Sequence, residues 1–174
     1  PTSGSEPLTT TFYWTPTSAD VGAYASLVTF TDSSGFEGSC SLGMSVIAYP
    51  IPDAGGPYAG NEASAIALDG SASASGDPTD STSAITTYEW DCESDGTYDY
   101  TSTSPTGDSC TYGNDGSYTV TLRVTDGYGL QATATAAVTV NNVAPTFTTT
   151  AGTTANIAEA YTYSPSVTDP ADTV

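Results

Sequence analysis

Alternating apolar and polar residues form the main pattern along the chain. The clearest stretch is GSYTVTLRVTD, residues 116–126, in which every second residue from Tyr118 onwards is apolar or aromatic up to Val124. A period of two is typical of a β-strand that buries one face. A short turn, DGYG, follows, and residues 130–140 alternate again. The pattern predicts an antiparallel hairpin with one face in a core and the other in solvent.

The same hairpin pattern occurs earlier in the chain. Residues 22–36, GAYASLVTFTDSSGF, align with residues 116–130, GSYTVTLRVTDGYGL, at a constant offset of 94. Gly, Tyr and Asp recur at four matching positions: Gly22 and Gly116, Tyr24 and Tyr118, Asp32 and Asp126, Gly35 and Gly129. We interpret this as an internal repeat, in which two domains end in the same kind of hairpin.

The beginnings of domains also repeat. NEASAIALDG (61–70) precedes GDP at 76–78, and AEAYTYSPSVTDP (158–170) has the same glutamate, an alternating strand and the same Asp-Pro pair. Segments rich in Pro, Gly and Asn, at 49–57 and 141–145, separate these patterns. Because Pro and Gly interrupt regular structure, such segments mark domain boundaries.

These boundaries predict three parts: residues 1–50, residues 51–144 and residues 145–174. We interpret the first as the closing half of one domain, the second as a whole domain and the third as the opening half of another. A half domain exposes strand edges and an apolar face. We therefore expect the third part of one copy to be completed by the first part of the next copy, head to tail. The copies would be covalent repeats of one long chain or separate subunits that exchange strands.

The composition favours strands and excludes several classes of function. Thr, Val and Tyr suit a pleated, half-buried surface, and no apolar run approaches the roughly 18 residues of a membrane span. The chain has 20 acidic residues against one base, Arg123, and a net charge of −19. Nucleic acid is excluded as a partner, because phosphate binding needs clustered Lys and Arg. Without histidine or lysine there is no imidazole base and no Schiff-base lysine, so we predict that the chain is not an enzyme.

Residues 54–140 resemble a PKD (polycystic kidney disease) domain, with AGGPY, LDGSAS, YEWD, DGTY and GSYTVTLRVTDGYG in succession. Residues 11–47 resemble the C-terminal half of a bacterial Ig-like or cadherin-like repeat, and residues 145–174 resemble the N-terminal half of the same type. The resemblance implies an all-β fold of tandem Ig-like antiparallel β-sandwiches on an extracellular or cell-surface microbial protein. We expect a structural or adhesive repeat of a fibre that assembles head to tail. The alternative is a carbohydrate-binding accessory region of a secreted hydrolase, with glycans as partners.

The acidic stretch YEWDCESDGTYDY, residues 88–100, is a candidate metal site. Four carboxylates follow the spacing D-x-E-x-D-G-x-x-D: Asp91, Glu93, Asp95 and Asp99. Ca²⁺ takes about six to eight oxygen ligands, and a glycine lets a loop curl around the ion. The motif departs from an EF-hand, because Ser102 stands where the twelfth loop position has glutamate. The sequence predicts either a Ca²⁺ site or a solvated acidic turn, with Trp90 packed behind it in the core.

Three cysteines in an extracellular chain predict one disulfide and one remaining thiol. Cys92 and Cys110 fall in the same predicted domain and enclose a strand-poor segment, which a crosslink between them would hold in place. Cys40 aligns with Ala134 in the repeat and lies in phase with Leu42. We therefore expect Cys40 to be a buried free thiol, and an intermolecular crosslink is the alternative.

Overall fold

The structure, a computed structural model, describes residues 11–170. The chain divides after Ala48 into two compact units. Apart from two short 3-10 turns, Ser18–Asp20 and Ser81–Ser83, the described regular structure consists of β-strands. The predicted all-β fold is confirmed. The division after Ala48 lies beside the predicted boundary at residue 50, whereas the boundary at residue 144 stays a prediction.

The first unit is built on one long antiparallel hairpin. Strand β1, Gly22–Thr31, pairs with strand β2, Glu37–Val46, without a bulge. The connecting turn is held by Asp32, whose Oδ1 accepts hydrogen bonds from the backbone N–H groups of Ser34 and Phe36, both at 2.8 Å. Gly35 has a φ of +85° in this turn, a conformation that glycine adopts without steric cost. The turn is therefore specified by its own residues.

The second unit contains a β-sandwich of two unequal sheets. In chain order its strands are β3 (Tyr58–Asn61), β4 (Ala65–Asp69), β5 (Ile85–Asp91), β6 (Tyr100–Ser102), β7 (Thr106–Thr111), β8 (Gly116–Asp126) and β9 (Gln131–Asn141). The larger sheet has the order β3-β9-β8-β5-β6, and β4 and β7 form the smaller one. All these pairs are antiparallel except β3 with β9, which is parallel.

The core lies between the two sheets and follows the alternation of the sequence. The inward positions of β8 are fully buried: Val120, Leu122 and Val124. They belong to one cluster with Ile66 and Leu68 of β4 and Cys110 of β7. Trp90 on β5 is also fully buried, as predicted. Burying one side chain of this size contributes about 1.5–3 kcal/mol, so the alternating strands account for the stability of this sandwich.

Residues 142–170 follow the sandwich and contain two short strands. Strand β10, Thr146–Phe147, pairs antiparallel with β11, Val167–Thr168. The residues between them form no strand, and their side chains are exposed. This segment therefore has no core of its own.

Candidate functional site

Strands β1 and β2 carry an apolar face that the described residues of their unit, 11–48, leave largely exposed. Residues directly opposite each other in an antiparallel pair point to the same side of the sheet. The register pairs Tyr24 with Met44, and Val28 with Cys40, so these side chains share one face. Yet every residue of these strands is exposed or only half-buried, and Leu42 keeps 53% of its surface in solvent.

The segment before β1 deepens this face into a groove. Trp14 packs edge-to-face on Tyr24, with ring centroids 5.1 Å apart and an interplanar angle of 75°. The groove has a volume of about 310 Å³, and the large side chains that line it are Phe12, Trp14, Tyr24, Val28, Leu42 and Met44. We call this concavity the hairpin groove. Exposed apolar surface of this kind is typical of a binding interface.

The equivalent face of the β8–β9 hairpin is covered. The two hairpins have the same register at an offset of 94, since Gly22 pairs with Val46 and Gly116 with Val140. In β8–β9 this face is buried under the smaller sheet, and Leu122, which corresponds to Val28, is fully buried. The hairpin groove therefore occupies the position that the smaller sheet fills in the sandwich.

Cys40 lies on the uncovered face, opposite Val28. The expectation that it is buried is wrong, because it is a free, exposed thiol in the structure. Its equivalent in the sandwich, Ala134, is half-buried and packs against the core. Cys40 lies on the expected face of its strand, but no described residue of its unit buries it there.

Residues 145–170 share a turn with the start of the sandwich, although the residues that correspond to β3 and β4 form no strand there. In both segments an alanine adopts a left-handed conformation, Ala63 with φ +55° and Ala158 with φ +65°. The turn closes in the same way, since Ser64 N–H donates to Asn61 O at 3.2 Å and Glu159 N–H donates to the Asn156 carbonyl at 3.4 Å. The offset between the two turns is 95. In the aligned sequences, NEASAIAL (61–68) and NIAEAYTY (156–163), the tyrosines stand at the positions of Ile66 and Leu68.

The strand pairing that begins each segment corresponds as well. Ile51 forms an isolated antiparallel bridge with Ala74 in the sandwich, and Thr146 pairs antiparallel with Thr168. Ile51 and Thr146 are 95 positions apart, and Ala74 and Thr168 are 94 positions apart. The glutamate and the Asp-Pro pair predicted this repeat from the sequence, and the shared turn aligns the two segments at an offset of 95.

A model of the PKD domain family matches residues 47–140, which are 94 of the 174 residues. The chain belongs to the PKD domain family. The matched residues contain the whole sandwich from β3 to β9, including the hairpin whose alternation is clearest in the sequence. The resemblance of residues 54–140 to this family is confirmed.

A chain from a structural study of the promiscuous specificity of carbohydrate-binding modules of the β-sandwich superfamily is 31% identical to this one, with a TM-score of 0.44. The similarity covers 53% of this chain and 34% of that chain, so the aligned region spans about a third of the solved structure. A search of curated proteins finds no match. In the described range, residues 11–170, no helix is long and apolar enough to cross a membrane.

The acidic loop of the PKD sandwich is organised by hydrogen bonds from its own backbone. Asp91 ends β5 and is buried, and its two carboxylate oxygens accept from the N–H groups of Asp95 and Gly96 at 3.2 and 2.8 Å. Asp99 Oδ2 accepts from Cys92 N–H at 2.8 Å. Carboxylates paired with backbone donors in this way stabilise a tight loop without a ligand.

The four predicted calcium ligands differ in their surroundings. Asp91 is buried, whereas Glu93, Asp95 and Asp99 lie in the loop beside it. Asp95 Oδ1 accepts from Thr97 N–H at 2.7 Å. Among the described residues, no group of three or more Asp, Glu, His and Cys side chains is arranged to hold a metal ion. Calcium binding by these four residues stays a prediction.

The predicted disulfide is confirmed, and it closes the acidic loop from behind. Cys92 and Cys110 are bonded, with their Cα atoms 5.7 Å apart, and both are buried. Tyr112 packs beside them and donates its hydroxyl to the Cys92 carbonyl at 2.8 Å. Burial raises the pKa of Tyr112 to about 12, and the negative charges of Glu93 and Asp99 add to this effect. The tyrosine therefore remains neutral well above neutral pH.

Arg123, the single base of the chain, is paired within the PKD sandwich. Its Nε and Nη2 donate to the two carboxylate oxygens of Glu89, both at 2.7 Å. Its guanidinium also lies 3.8 Å from the centroid of the Tyr98 ring. The hydrogen bonds that Arg123 donates to Glu89 raise the pKa of the guanidinium above its usual value. The chain's one cation is thus used in an internal contact that joins β5 to β8.

Glu62 has a structural role that the sequence analysis missed. It is 1% exposed, and its Oε1 and Oε2 accept from the N–H groups of Val143 and Asp115, at 2.6 and 3.1 Å. A buried carboxylate is tolerated when backbone donors satisfy it. Glu62 therefore fixes the segment that leaves the sandwich after β9. No sequence signal predicted this role, since the shared turn aligns Glu62 with Ile157 and not with Glu159.

Proposed function

We propose that this PKD-family chain is a structural or adhesive repeat of an extracellular or cell-surface fibre, in which copies associate head to tail. The observation that carries the proposal is the hairpin groove. It presents an apolar sheet face and an edge strand to solvent, whereas the central residues of the same face are buried in the PKD sandwich of the same chain. Apolar strands with free edges are stabilised by pairing with another chain segment.

Two further properties support an extracellular setting. Disulfides persist in oxidising compartments, and the Cys92–Cys110 bond lies in the core rather than on the surface. The net charge of −19 keeps a protein soluble and prevents unspecific association. Contacts between copies then depend on the apolar groove.

Sedimentation velocity over a concentration series tests the proposal. We expect the protein to form oligomers that grow with concentration, and Leu42→Asp to be monomeric, because a charge in the groove cannot be buried at a reasonable cost. Ser41→Asp is the matched control. It places the same charge on the neighbouring residue, on the other face of β2, and should leave the oligomers intact. A wild-type protein that remains monomeric at every concentration contradicts the proposal.

Boiling native fibres in detergent distinguishes the two routes to a head-to-tail contact. Separate subunits that exchange strands would run at about the mass of one chain, 17.6 kDa. Covalent repeats of a long chain would remain much larger. Either result agrees with head-to-tail contact, and the difference shows how the copies are joined.

Carbohydrate binding is the alternative function. It needs exposed aromatic side chains in a row on one sheet face, and Tyr88 and Trp90 of β5 are buried instead. Tyr128, which is exposed at the β8–β9 turn, donates its hydroxyl to Asp80. Affinity electrophoresis in gels with soluble polysaccharides tests this alternative, and a retarded band would support it.

Calcium binding through Asp91, Glu93, Asp95 and Asp99 is proposed as a separate property of the acidic loop. Isothermal titration with CaCl₂ tests it directly. If Ca²⁺ binds there, Asp95→Ala should remove the binding heat and the thermal stabilisation by the ion. Asp108→Ala, a change outside the loop, serves as the control. Equal midpoints with Ca²⁺ and with a chelator would identify the loop as an acidic turn.

A further inference from the structure

The hairpin groove and residues 145–170 correspond to complementary halves of one sandwich. The β1–β2 hairpin matches β8–β9 in register and turn, at an offset of 94. Residues 145–170 match the start of the sandwich in strand pairing and in the left-handed alanine turn, at an offset of 95. In the PKD sandwich, the starting segment lies directly against the closing hairpin: β3 pairs with β9, and β4 contributes to the core that covers β8.

Resting on the proposed head-to-tail function, we propose that residues 145–170 of a second copy of this chain fill the hairpin groove. Residues 153–156 of that copy pair in parallel with residues 44–47, and Tyr161 and Tyr163 enter the groove. This assigns both the segment and the register of the contact between copies.

The register follows from the pairing of β3 with β9. In the PKD sandwich, Tyr58 to Asn61 lie opposite Val138 to Asn141 in a parallel ladder. At an offset of 95, Tyr58 and Asn61 correspond to Thr153 and Asn156. At an offset of 94, Val138 and Asn141 correspond to Met44 and Ile47. The proposed ladder therefore places Thr153 opposite Met44 and Asn156 opposite Ile47. Strand β2 is paired only with β1 among the described residues, so its outer edge offers free N–H and C=O groups for such a ladder.

The two tyrosines supply the side chains that the groove lacks. They stand at the positions of Ile66 and Leu68, which are buried at 5% and 2% exposure in the PKD sandwich. In residues 145–170, Tyr161 and Tyr163 are 49% and 42% exposed. Aromatic side chains bury about 150–250 Å² each, and the groove is already lined by Trp14 and Tyr24. Tyr161 and Tyr163 are exposed aromatic side chains, and the hairpin groove is an exposed apolar surface that they would cover.

The charges of both halves make the contact dependent on salt. Residues 145–170 contain Glu159 and Asp169, and residues 11–48 contain Asp20, Asp32 and Glu37, with no base in either range. Like charges repel over about 10 Å at 0.1 M salt. We expect added salt to strengthen the association, because the attraction is apolar and only the repulsion is screened.

Engineered disulfides test the register in the full 174-residue protein. Thr154 and Ser45 correspond to Ala59 and Thr139, which lie opposite each other on the outer, solvent-facing side of β3 and β9. In a Cys40→Ser background, the double variant Ser45→Cys, Thr154→Cys should form a ladder of covalent oligomers under mild oxidation on a non-reducing gel. The matched control is Ser41→Cys, Thr154→Cys. Its cysteine lies on the same strand and face, four residues out of register, and should form no ladder.

The outcomes separate this inference from the function on which it rests. A ladder confined to the Ser45→Cys pair supports the proposed register. Oligomers in sedimentation without such a ladder, or equal ladders in both pairs, overturn the register and leave head-to-tail assembly standing. A disulfide within one chain, seen as a faster-migrating monomer, overturns it because the segment then covers its own hairpin. A protein that is monomeric in sedimentation and forms no crosslink contradicts both proposals.

Discussion

The hairpins β1–β2 and β8–β9 have nearly the same local structure and opposite environments. Both place an aspartate at the end of the first strand, and its carboxylate accepts two backbone N–H groups of the turn, at 2.8 to 2.9 Å. Both use a left-handed glycine three residues later, Gly35 and Gly129. Yet the inward face of β8 is fully buried and that of β1 is exposed. Turn and register are local properties, whereas burial needs a second layer of structure.

The same contrast extends to a pair of aromatic rings. In the PKD sandwich, Tyr118 lies against Tyr112, with ring centroids 4.3 Å apart. In the first unit the equivalent residue, Tyr24, packs on Trp14 at 5.1 Å. Tyr112 is buried beside the disulfide, but Tyr24 remains 39% exposed. A ring contact forms in both units, and it is more deeply buried in the PKD sandwich, where Tyr118 is half-buried and Tyr112 is buried.

The largest expected difference between the hairpins concerns their central core position. Leu122→Ala should lower the free energy of unfolding of the PKD sandwich by about 3 kcal/mol, because it leaves a cavity under the smaller sheet. Val28→Ala, the matched change in β1, should alter it by less than about 0.5 kcal/mol. Urea unfolding followed by Trp fluorescence measures both. Equal losses would show that the β1–β2 face is covered within the same cooperative unit.

The Cys92–Cys110 disulfide should stabilise the PKD sandwich, and the first unit has no equivalent bond among its described residues. The disulfide encloses 17 residues, since Cys92 and Cys110 are 18 positions apart, and a loop of this length corresponds to about 3 kcal/mol in the chain-entropy model. The double variant Cys92→Ala, Cys110→Ala should lose about that much stability in urea unfolding, and Cys40→Ser, in the other hairpin, should lose nothing measurable. Alkylation of the denatured, unreduced protein should label one thiol. Three labelled cysteines would contradict the crosslink.

Alkaline pH should weaken the covered aromatic pair. The pKa of Tyr112 is raised from its usual value near 10 to about 12, chiefly by burial. The folded protein therefore holds this proton where the unfolded chain has lost it. The stabilisation is complete below pH 10 and decreases as the pH rises towards 12, by about 2 kcal/mol. Urea unfolding at pH 9 to 11.5 measures this decrease, and Tyr112→Phe should reduce its slope. An unchanged slope would assign the loss to other tyrosines.

The smallest expected difference concerns the two turn aspartates. Asp126 is buried, and Asp126→Ala should lower the free energy of unfolding by about 1 kcal/mol, because two turn N–H groups lose their acceptor. Asp32→Ala removes the same two hydrogen bonds from an exposed turn and should leave the melting temperature of the PKD sandwich unchanged. Differential scanning calorimetry compares them. Equal shifts would mean that the two hairpins unfold together.

Much of the fold was predictable from the sequence because its causes are local. Alternation along residues 116–140 gave the strands and the buried face of β8–β9, and the recurring Gly, Tyr and Asp gave the repeat. The burial of Trp90 followed from its place between strand residues. The disulfide followed from two cysteines in one predicted domain. The strands, turns and repeat depend on residues that lie close in sequence. The disulfide was predictable because the chain has only three cysteines, and two of them lie in one predicted domain.

The exposure of Cys40, the role of Glu62 and the arrangement of the acidic loop required the tertiary structure. Alternation places Cys40 on an inward face, but it does not show whether a second sheet covers that face. Glu62 is buried because N–H groups 53 and 81 residues further along the chain donate to it. Asp91 and Asp99 have ligand spacing, yet the fold directs backbone donors to their oxygens. The sequence by itself determined strands, turns and inward phase, because these depend on neighbouring residues. Only the tertiary structure decided which inward face is covered, because cover comes from segments far away in the chain.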